Sequence, residues 1–390
     1  MRIAILTSGI LPVPAVQGGA VENLIDFYLE YNNRHHLHDI TVFSVYHPNV
    51  KSHPALQSEV NHYIYIKRYS RRARLMSKLY GYLHKDEYYH YQLEYFFEQA
   101  YRQLKKQPFD LIILENRPGY ALKLSQRITT PIITHIHTDI VNPQTKQVES
   151  IIKTTKGFIC VSNYIKQQAL SVGMPTKANV VYNGLDDKRF YANSKTDISR
   201  KDFGFSPTDF VVLYTGRIVP QKGVKELVQA IQLLSNLPDI KLLVVGGNNY
   251  ADSINSNPYL DELHEMGRQM TGKVCFTGFV PYEKLPYYHL LANVAVIPSC
   301  INEALGMVCI EAAAMGLPII ATNDGGIPET LIDQNHILID KEGNLPQLIA
   351  DAILKIKENY DDYKGNHLAK QFTKEAYSKS FFDTIESYFH

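Results

Sequence analysis

Residues 299–326 read SCINEALGMVCIEAAAMGLPIIATNDGG. The apolar run VAVIPS (294–299) leads into them and PIIAT (318–322) lies near their end, each short enough for a buried strand. Between these runs, Leu305 to Met315 is built of strong helix formers, Gly316 suits the position just past a helix end, and Pro318 opens the next strand. Strand, helix and strand in so short a span make a parallel crossover unit, and the loop after the first strand then falls at the carboxyl edge of a sheet.

The same rhythm extends outward. FVVLYT (210–215), KLLVVGG (241–247) and KVCFTG (273–278) precede the unit, and the first half supplies IAIL (3–6), ITVFSV (40–45), LIIL (111–114), PIITHI (131–136), GFICV (157–161) and NVVY (179–182). Val21, Leu24, Ile25, Tyr28 and Leu29 recur at helical spacing between the first two of these, as a crossover helix requires. The expected fold class is therefore α/β, with two doubly wound Rossmann-like domains whose strand ends face a cleft. Residues 1–185 form the first domain, the polar stretch 186–208 a linker, and 209–372 the second domain, while 373–390 carries Tyr377, Phe381, Ile385 and Tyr388 on one face of a final helix that needs a partner surface.

Composition narrows the class further. With 390 residues, 45% hydrophobic and 20% charged, the chain is an ordinary globular one and neither disordered, collagenous nor coiled-coil. Forty basic against 39 acidic residues leave a net charge of +1, so no global field draws it to nucleic acid. Cys160, Cys275, Cys300 and Cys309 match neither a disulfide framework nor paired zinc ligands, which points to a reducing cytoplasm. MRIAIL stops at Thr7-Ser8-Gly9 and reads as a buried strand rather than a signal peptide, and the uncharged stretch 285–302 is broken by His289, Asn293 and Pro298. Residues 67–85 hold Lys67, Arg68, Arg71, Arg72, Arg74, Lys78 and Lys85 without an acid, which suits either a solvated helix face or anionic lipid head groups.

Chemistry collects at the strand ends. Glu303 falls on the strand-to-helix loop, Glu311 lies inside the helix, and the N–H groups of Gly306, Met307 and Val308 at its start suit an anion such as a diphosphate. Gly306 to Glu311 rises roughly 7–8 Å, comparable with the reach from phosphate to ribose, so one Glu meets a sugar and the other a ribose. The bland alternative makes both solvated helix-face glutamates. In GRIVPQKG (216–223), Arg217 and Lys222 precede a helix, where one forked and one compact cation suit a diphosphate leaving group. Gly18 and Gly19 precede the first helix and allow close backbone approach to a ligand. His137 follows PIITHI and is placed to hydrogen-bond a polar substrate, while Glu115, Asn116 and Arg117 follow LIIL as candidates to hold an acceptor, with a plain loop the alternative. A G-x-G-x-x-G after the first strand is missing, which weakens a dehydrogenase reading.

Taken together, Glu303 and Glu311 with seven residues between them, GRIVPQKG, VYNGLD (181–186), the GGAVENL loop (18–24) and His137 resemble the retaining glycosyltransferases of family 4, which have the GT-B fold. The resemblance covers nearly the whole chain and extends to bacterial cell-surface polysaccharide and spore-coat-type members. It implies a transferase that moves a sugar from a nucleotide-diphosphate sugar, a UDP-sugar first, to a glycan or lipid-linked acceptor. By similarity Arg217, Lys222 and the backbone of Gly306, Met307 and Val308 bind the diphosphate, Glu311 the ribose, and Glu303 the sugar. Val280 borders the base, His137 contacts the donor sugar, Leu305 belongs to the phosphate loop, and Gly18-Gly19 lies near the reacting centre. The family retains stereochemistry by front-face attack, needs no cofactor or metal, and often crosses its final helix back to the first domain. Glu115-Asn116-Arg117 departs from the His-rich segment of many relatives, which leaves the acceptor open. The expected location is cytoplasmic, or peripheral on the inner face of the plasma membrane through residues 67–85, with no nucleic-acid partner. The rival readings are a nucleotide-sugar epimerase or phosphorylase on the same scaffold, and a catalytically silent coat protein.

Overall fold

A computed structural model of the chain describes residues 1–67, 91–192, 196–247 and 257–389. It divides into two compact units, Met1–Gly184 with Glu375–His390, and Leu185–Lys374.

In unit 1, strands β1 (Arg2–Leu6), β2 (Asp39–Val45), β3 (Asn61–Ile66), β4 (Leu111–Glu115), β5 (Ile132–Ile136), β6 (Gly157–Cys160) and β7 (Ala178–Val180) form one sheet in the order β3-β2-β1-β4-β5-β6-β7. Every pairing is parallel. Alternate residues of β1 go to opposite faces: Ile3 and Ile5 enter one core and Ala4 and Leu6 another. Apolar layers on both sides are why this strand reads as an unbroken apolar run. Helix α1 (Ala20–His35) buries Leu24, Ile25, Tyr28 and Leu29 of the periodic set seen in sequence, and its fifth member, Val21, is partly buried against the same core.

Unit 2 repeats the plan with β8 (Phe210–Thr215), β9 (Ile240–Val245), β10 (Val274–Phe276), β11 (Val294–Ile297), β12 (Ile319–Thr322) and β13 (His336–Ile339) in the order β10-β9-β8-β11-β12-β13, again wholly parallel. Val212 and Tyr214 face one core and Val211 and Leu213 the other. Two of its helices position the chemistry: α2 (Val224–Leu233) and α3 (Met307–Ala314). The fold is the expected pair of doubly wound Rossmann-like sheets.

The stretch 186–208 is tied into unit 2 wherever it is described. Arg200 donates to the carbonyls of Leu291 and Asp209 and to Asn293 Oδ1, and Phe205 is buried. Helix α4 (Lys374–Ser387) packs in the core of unit 1, where the Phe381 ring stacks on Tyr28 at 4.1 Å. Tyr388, just beyond it, donates its hydroxyl to the Phe158 carbonyl at 2.7 Å and lies where a side chain on Gly157 would collide with its ring. Phe381→Ala should cost unit 1 about 3–5 kcal/mol. Denaturant unfolding followed on the full chain checks this, and a loss below about 1 kcal/mol would show that α4 is a loosely attached tail.

Among the described residues no helix is long and apolar enough to cross a membrane. The basic segment 67–85 lies, from residue 68 onward, outside the described residues.

Candidate active site

Each sheet reverses its winding at one place. In unit 2 the chain passes from β8 outward to β9 and β10, then returns to β11 on the other side of β8, so the loops after β8 and β11 diverge and leave a crevice at the carboxyl ends. Those two loops carry Arg217, Lys222, Glu303 and Gly306.

Gly223 brings the loops together. Its φ of 68° is left-handed, and a Cβ there would stand 1.8 Å from the Pro298 carbonyl oxygen, so only glycine lets the β8 loop lie against the end of β11. The Cys300 amide also donates to the Gln221 carbonyl at 2.9 Å. In consequence Lys222 and Glu303, far apart in sequence, form an ion pair, their side chains 23% and 16% exposed. The Ser299 hydroxyl donates to the same Glu303 oxygen at 2.5 Å. Arg217 is exposed on the same loop, and its carbonyl accepts the Tyr214 hydroxyl at 2.7 Å.

Helix α3 starts two residues later than the helix formers suggest because Gly306, at φ 94°, is its N-cap. The first N–H groups of a helix have no partner within it, which leaves the amides of Met307 and Val308 for a ligand. Leu305 is buried in unit 2, so only its backbone is available to a ligand. Glu303 is partly buried on the loop and Glu311 is buried inside α3, which overturns the bland alternative of two solvated glutamates. The Tyr282 hydroxyl hydrogen-bonds Glu311. Tyr282 was not foreseen; its ring packs at 5.4 Å from Phe190 and takes the Arg189 guanidinium at 5.7 Å. Val280 packs partly against the core of unit 2, while its neighbour Phe279 is exposed.

Burial pushes the Glu311 carboxyl up to about 8 from the ordinary 4.5, with the Tyr282 hydrogen bond acting in the opposite sense. The folded protein thus favours the protonated acid, a contribution fully present below about 4.5 and lost as pH rises through about 8. Glu311→Gln should therefore gain stability relative to the parent between pH 5 and pH 8.5, by up to a few kcal/mol on the order expected for a buried carboxyl. Unfolding midpoints of both proteins at the two pH values measure this; a constant difference would place the Glu311 charge in water.

Unit 1 has its own reversal between β1 and β4. The β1 loop holds Gly18 (φ 72°) and Gly19 (φ 106°), and a Cβ on Gly19 would lie 2.2 Å from Glu22 Oε2. Glu22, buried at the start of α1, accepts the Ser8 hydroxyl at 3.3 Å, and burial pushes its carboxyl up to about 7. Sequence reading passed over Glu22, although its place three residues after Gly19 was visible.

The β4 loop requires a correction. Glu115, expected as an acceptor contact, is completely buried, and its carboxylate is occupied by Tyr28 Oη at 2.9 Å, His137 Nε2 at 2.9 Å and His135 Nδ1 at 3.2 Å. Asn116, at φ 55°, uses its side-chain oxygen to accept the His137 amide and the Thr138 hydroxyl, which makes it a turn-former. Arg117 Nε donates to the Ser8 carbonyl at 3.1 Å and so ties the β4 loop to the β1 loop. His137 itself is buried just past β5. Burial, with His135 beside it, pushes its imidazole down to about 4, so the ring is neutral near pH 7. Burial alone would raise the Glu115 carboxyl, but His135 and His137 hold it below the usual carboxylate range.

Among the described residues, Glu115, His135 and His137 form a group whose donor atoms lie within 4.8 Å of one another, the spacing a metal ion would need. A coordinating imidazole must carry its proton on the far nitrogen and normally donates it to a second partner. The far nitrogens, His135 Nε2 and His137 Nδ1, are buried without partners. Hydrogen bonding to a carboxylate therefore fits this group better than coordination.

Two facing loops at a switch point, a cation paired with a carboxylate, and a helix start beside them form a candidate anion site on one of two doubly wound domains, the architecture of the GT-B fold. Residues 34–189 match the family model described as Glycosyltransferase Family 4, and residues 195–379 that of Glycosyl transferases group 1. The chain belongs to glycosyltransferase family 4 and is a glycosyltransferase. It is 27% identical to spore coat protein SA of Bacillus subtilis, over 97% of this chain and 95% of that one. It is also 33% identical to a GDP-mannose-dependent alpha-(1-6)-phosphatidylinositol monomannoside mannosyltransferase of Mycolicibacterium smegmatis, over 44% of this chain and 46% of that one. The fold is similar to the crystal structure of Anabaena Alr3699/HepE in complex with UDP-glucose, with TM-score 0.73 and 21% identity over 99% of this chain and 100% of that one.

Proposed function

We propose that this chain is a retaining transferase that moves a sugar from a nucleoside diphosphate sugar, a UDP-sugar, to a glycan or lipid-linked acceptor in the synthesis of cell-surface polysaccharide or glycoconjugate. The observation that carries the reading is the Lys222–Glu303 pair across the switch point of unit 2, beside the amino end of α3. Lys222 and the exposed Arg217 meet the diphosphate, helped by the amides of Gly306, Met307 and Val308. Glu303 takes hydroxyls of the donor sugar, Glu311 takes the ribose, and the stretch around Val280 borders the base. In unit 1, His137 is assigned a sugar hydroxyl and the Gly18-Gly19 loop the neighbourhood of the reacting centre. Charge that grows on the leaving phosphate is met by cations already in place, and the same phosphate helps take the proton of the incoming hydroxyl. These side chains and helix ends neutralise the diphosphate without a metal bridge or other cofactor.

The UDP-glucose-bound structure of similar fold supports a UDP donor, and the mannosyltransferase acting on a phosphatidylinositol mannoside supports a lipid-linked acceptor. A lipid-linked acceptor accords with a cytoplasmic enzyme peripheral to the inner face of the plasma membrane. The coat-protein relative favours a scaffold role, and the intact Lys222–Glu303 pair favours catalysis over it. The test is donor hydrolysis without acceptor, followed by proton NMR over a panel of UDP-sugars. Release of the sugar in the anomeric configuration of the donor is expected, and first release of the opposite anomer would overturn retention.

A further inference from the structure

Three hydrogen-bonding side chains converge on the buried Glu115 carboxylate. A carboxylate only accepts hydrogen bonds, so each group that faces it must bring a proton. Tyr28 brings its hydroxyl proton, and its pKa stands well above the ordinary value because it is buried, so the hydroxyl stays protonated. His137 presents Nε2 at 2.9 Å and His135 presents Nδ1 at 3.2 Å. Register explains the convergence: Glu115 pairs with His135 across β4 and β5, and residues 135 and 137, two apart along the chain, fall on the same face. The Asn116 side-chain oxygen accepts the His137 amide and fixes the backbone that carries the ring.

We propose that Glu115 is a positioning residue that holds His137 in the single tautomer with Nε2 protonated, so that Nδ1 stands as a lone-pair acceptor for a hydroxyl of the sugar substrate. Two independent facts support it. The His137 side chain is 4% exposed, yet Nδ1 has no hydrogen-bond partner, although buried polar atoms nearly always find one. The ring is also neutral near pH 7, so Nδ1 carries no proton once Nε2 does. A neutral acceptor selects a ligand group that has a hydrogen to give, which every free sugar hydroxyl does and a phosphate oxygen does not. In this account Glu115 never touches substrate. It sets which ring nitrogen does, and without its charge the imidazole is free to place its proton on either atom.

The inference rests on the assignment of His137 to a sugar, and the experiment separates the two. Full-length protein with 15N-labelled histidine, free of substrate, is examined by two-bond proton–nitrogen correlation NMR between pH 6 and 8. One Nε2–H tautomer for His137 is expected, and an Nδ1–H resonance in the wild type overturns the role of Glu115 whatever the enzyme does. Glu115→Gln should then show both tautomers and lower kcat at least about tenfold, the worth of one well-placed hydrogen bond, with donor KM within about twofold. His137→Asn, whose side-chain oxygen falls near the position of Nδ1, should retain more transfer than His137→Gln, whose amide reaches toward Glu115 instead. Equal loss in these two, or Glu115→Gln turning over at the wild-type rate, overturns the link to the substrate hydroxyl. Failure of the proposed function shows separately, as wild-type protein that transfers from no nucleoside diphosphate sugar.

Discussion

Lys222→Ala should lower transfer by about 10²-fold or more, with most of the loss in kcat. The reason is where the charge goes. A bound nucleotide sugar already carries a charged diphosphate, but one more negative charge develops on it as the bond to the sugar breaks, and in the proposed function Lys222, paired with Glu303 on the loop after β8, meets that charge. Glu303 holds the ammonium ready, so no reorganisation is needed when the charge appears. Arg217→Ala should act in the same direction from the same loop. Steady-state kinetics across donor concentrations separate kcat from KM, and near-normal turnover in both variants would remove these cations from the mechanism.

The second large effect is a division between the two glutamates. Glu303→Gln should cripple transfer while leaving the affinity for free UDP intact, because the change removes a sugar contact and releases Lys222 from its ion pair without withdrawing it from the diphosphate. Glu311→Gln should weaken UDP about tenfold, since an amide replaces the carboxyl proposed to hydrogen-bond the ribose inside α3. Tyr282 sharpens this expectation: its hydroxyl already bonds Glu311, so the carboxyl is presented in one orientation. Equal loss of UDP affinity in the two variants would refute the division of labour.

Much of this was legible in the sequence, for identifiable reasons. Strands β1 and β8 sit inside their sheets with apolar layers on both faces, so each appears as an unbroken apolar run. The strands that went unread, β3 and β13, are sheet edges, and NHYIYI and HILI mix polar residues into short runs with intermediate burial. The final helix was readable because Tyr377, Phe381 and Ile385 repeat at helical spacing, and all three are buried. At the site, Lys222 and Glu303 were visible as residue types beyond strand ends, but their pairing depends on the collision-free approach of Gly223 to Pro298, which no local pattern encodes. Glu115 was misplaced for a related reason. A carboxyl at the end of an apolar strand looks available until the neighbouring strand supplies His135 and His137 and α1 supplies Tyr28. The two histidines at alternate positions of THIH were the available hint, since such residues share a face.

In the proposed function the β8 and β11 loops of unit 2 hold a nucleoside diphosphate. Titration calorimetry with UDP, GDP and ADP on the wild-type chain and on an Arg217→Ala, Lys222→Ala double variant tests it without any assumption about sugar or acceptor. Saturable binding is expected, with UDP the tightest of the three and affinity at least about tenfold weaker in the double variant, the cost of losing charge-assisted contacts. Wild-type protein that binds none of the three nucleotides, or a double variant that binds UDP as tightly as the wild type, would contradict it.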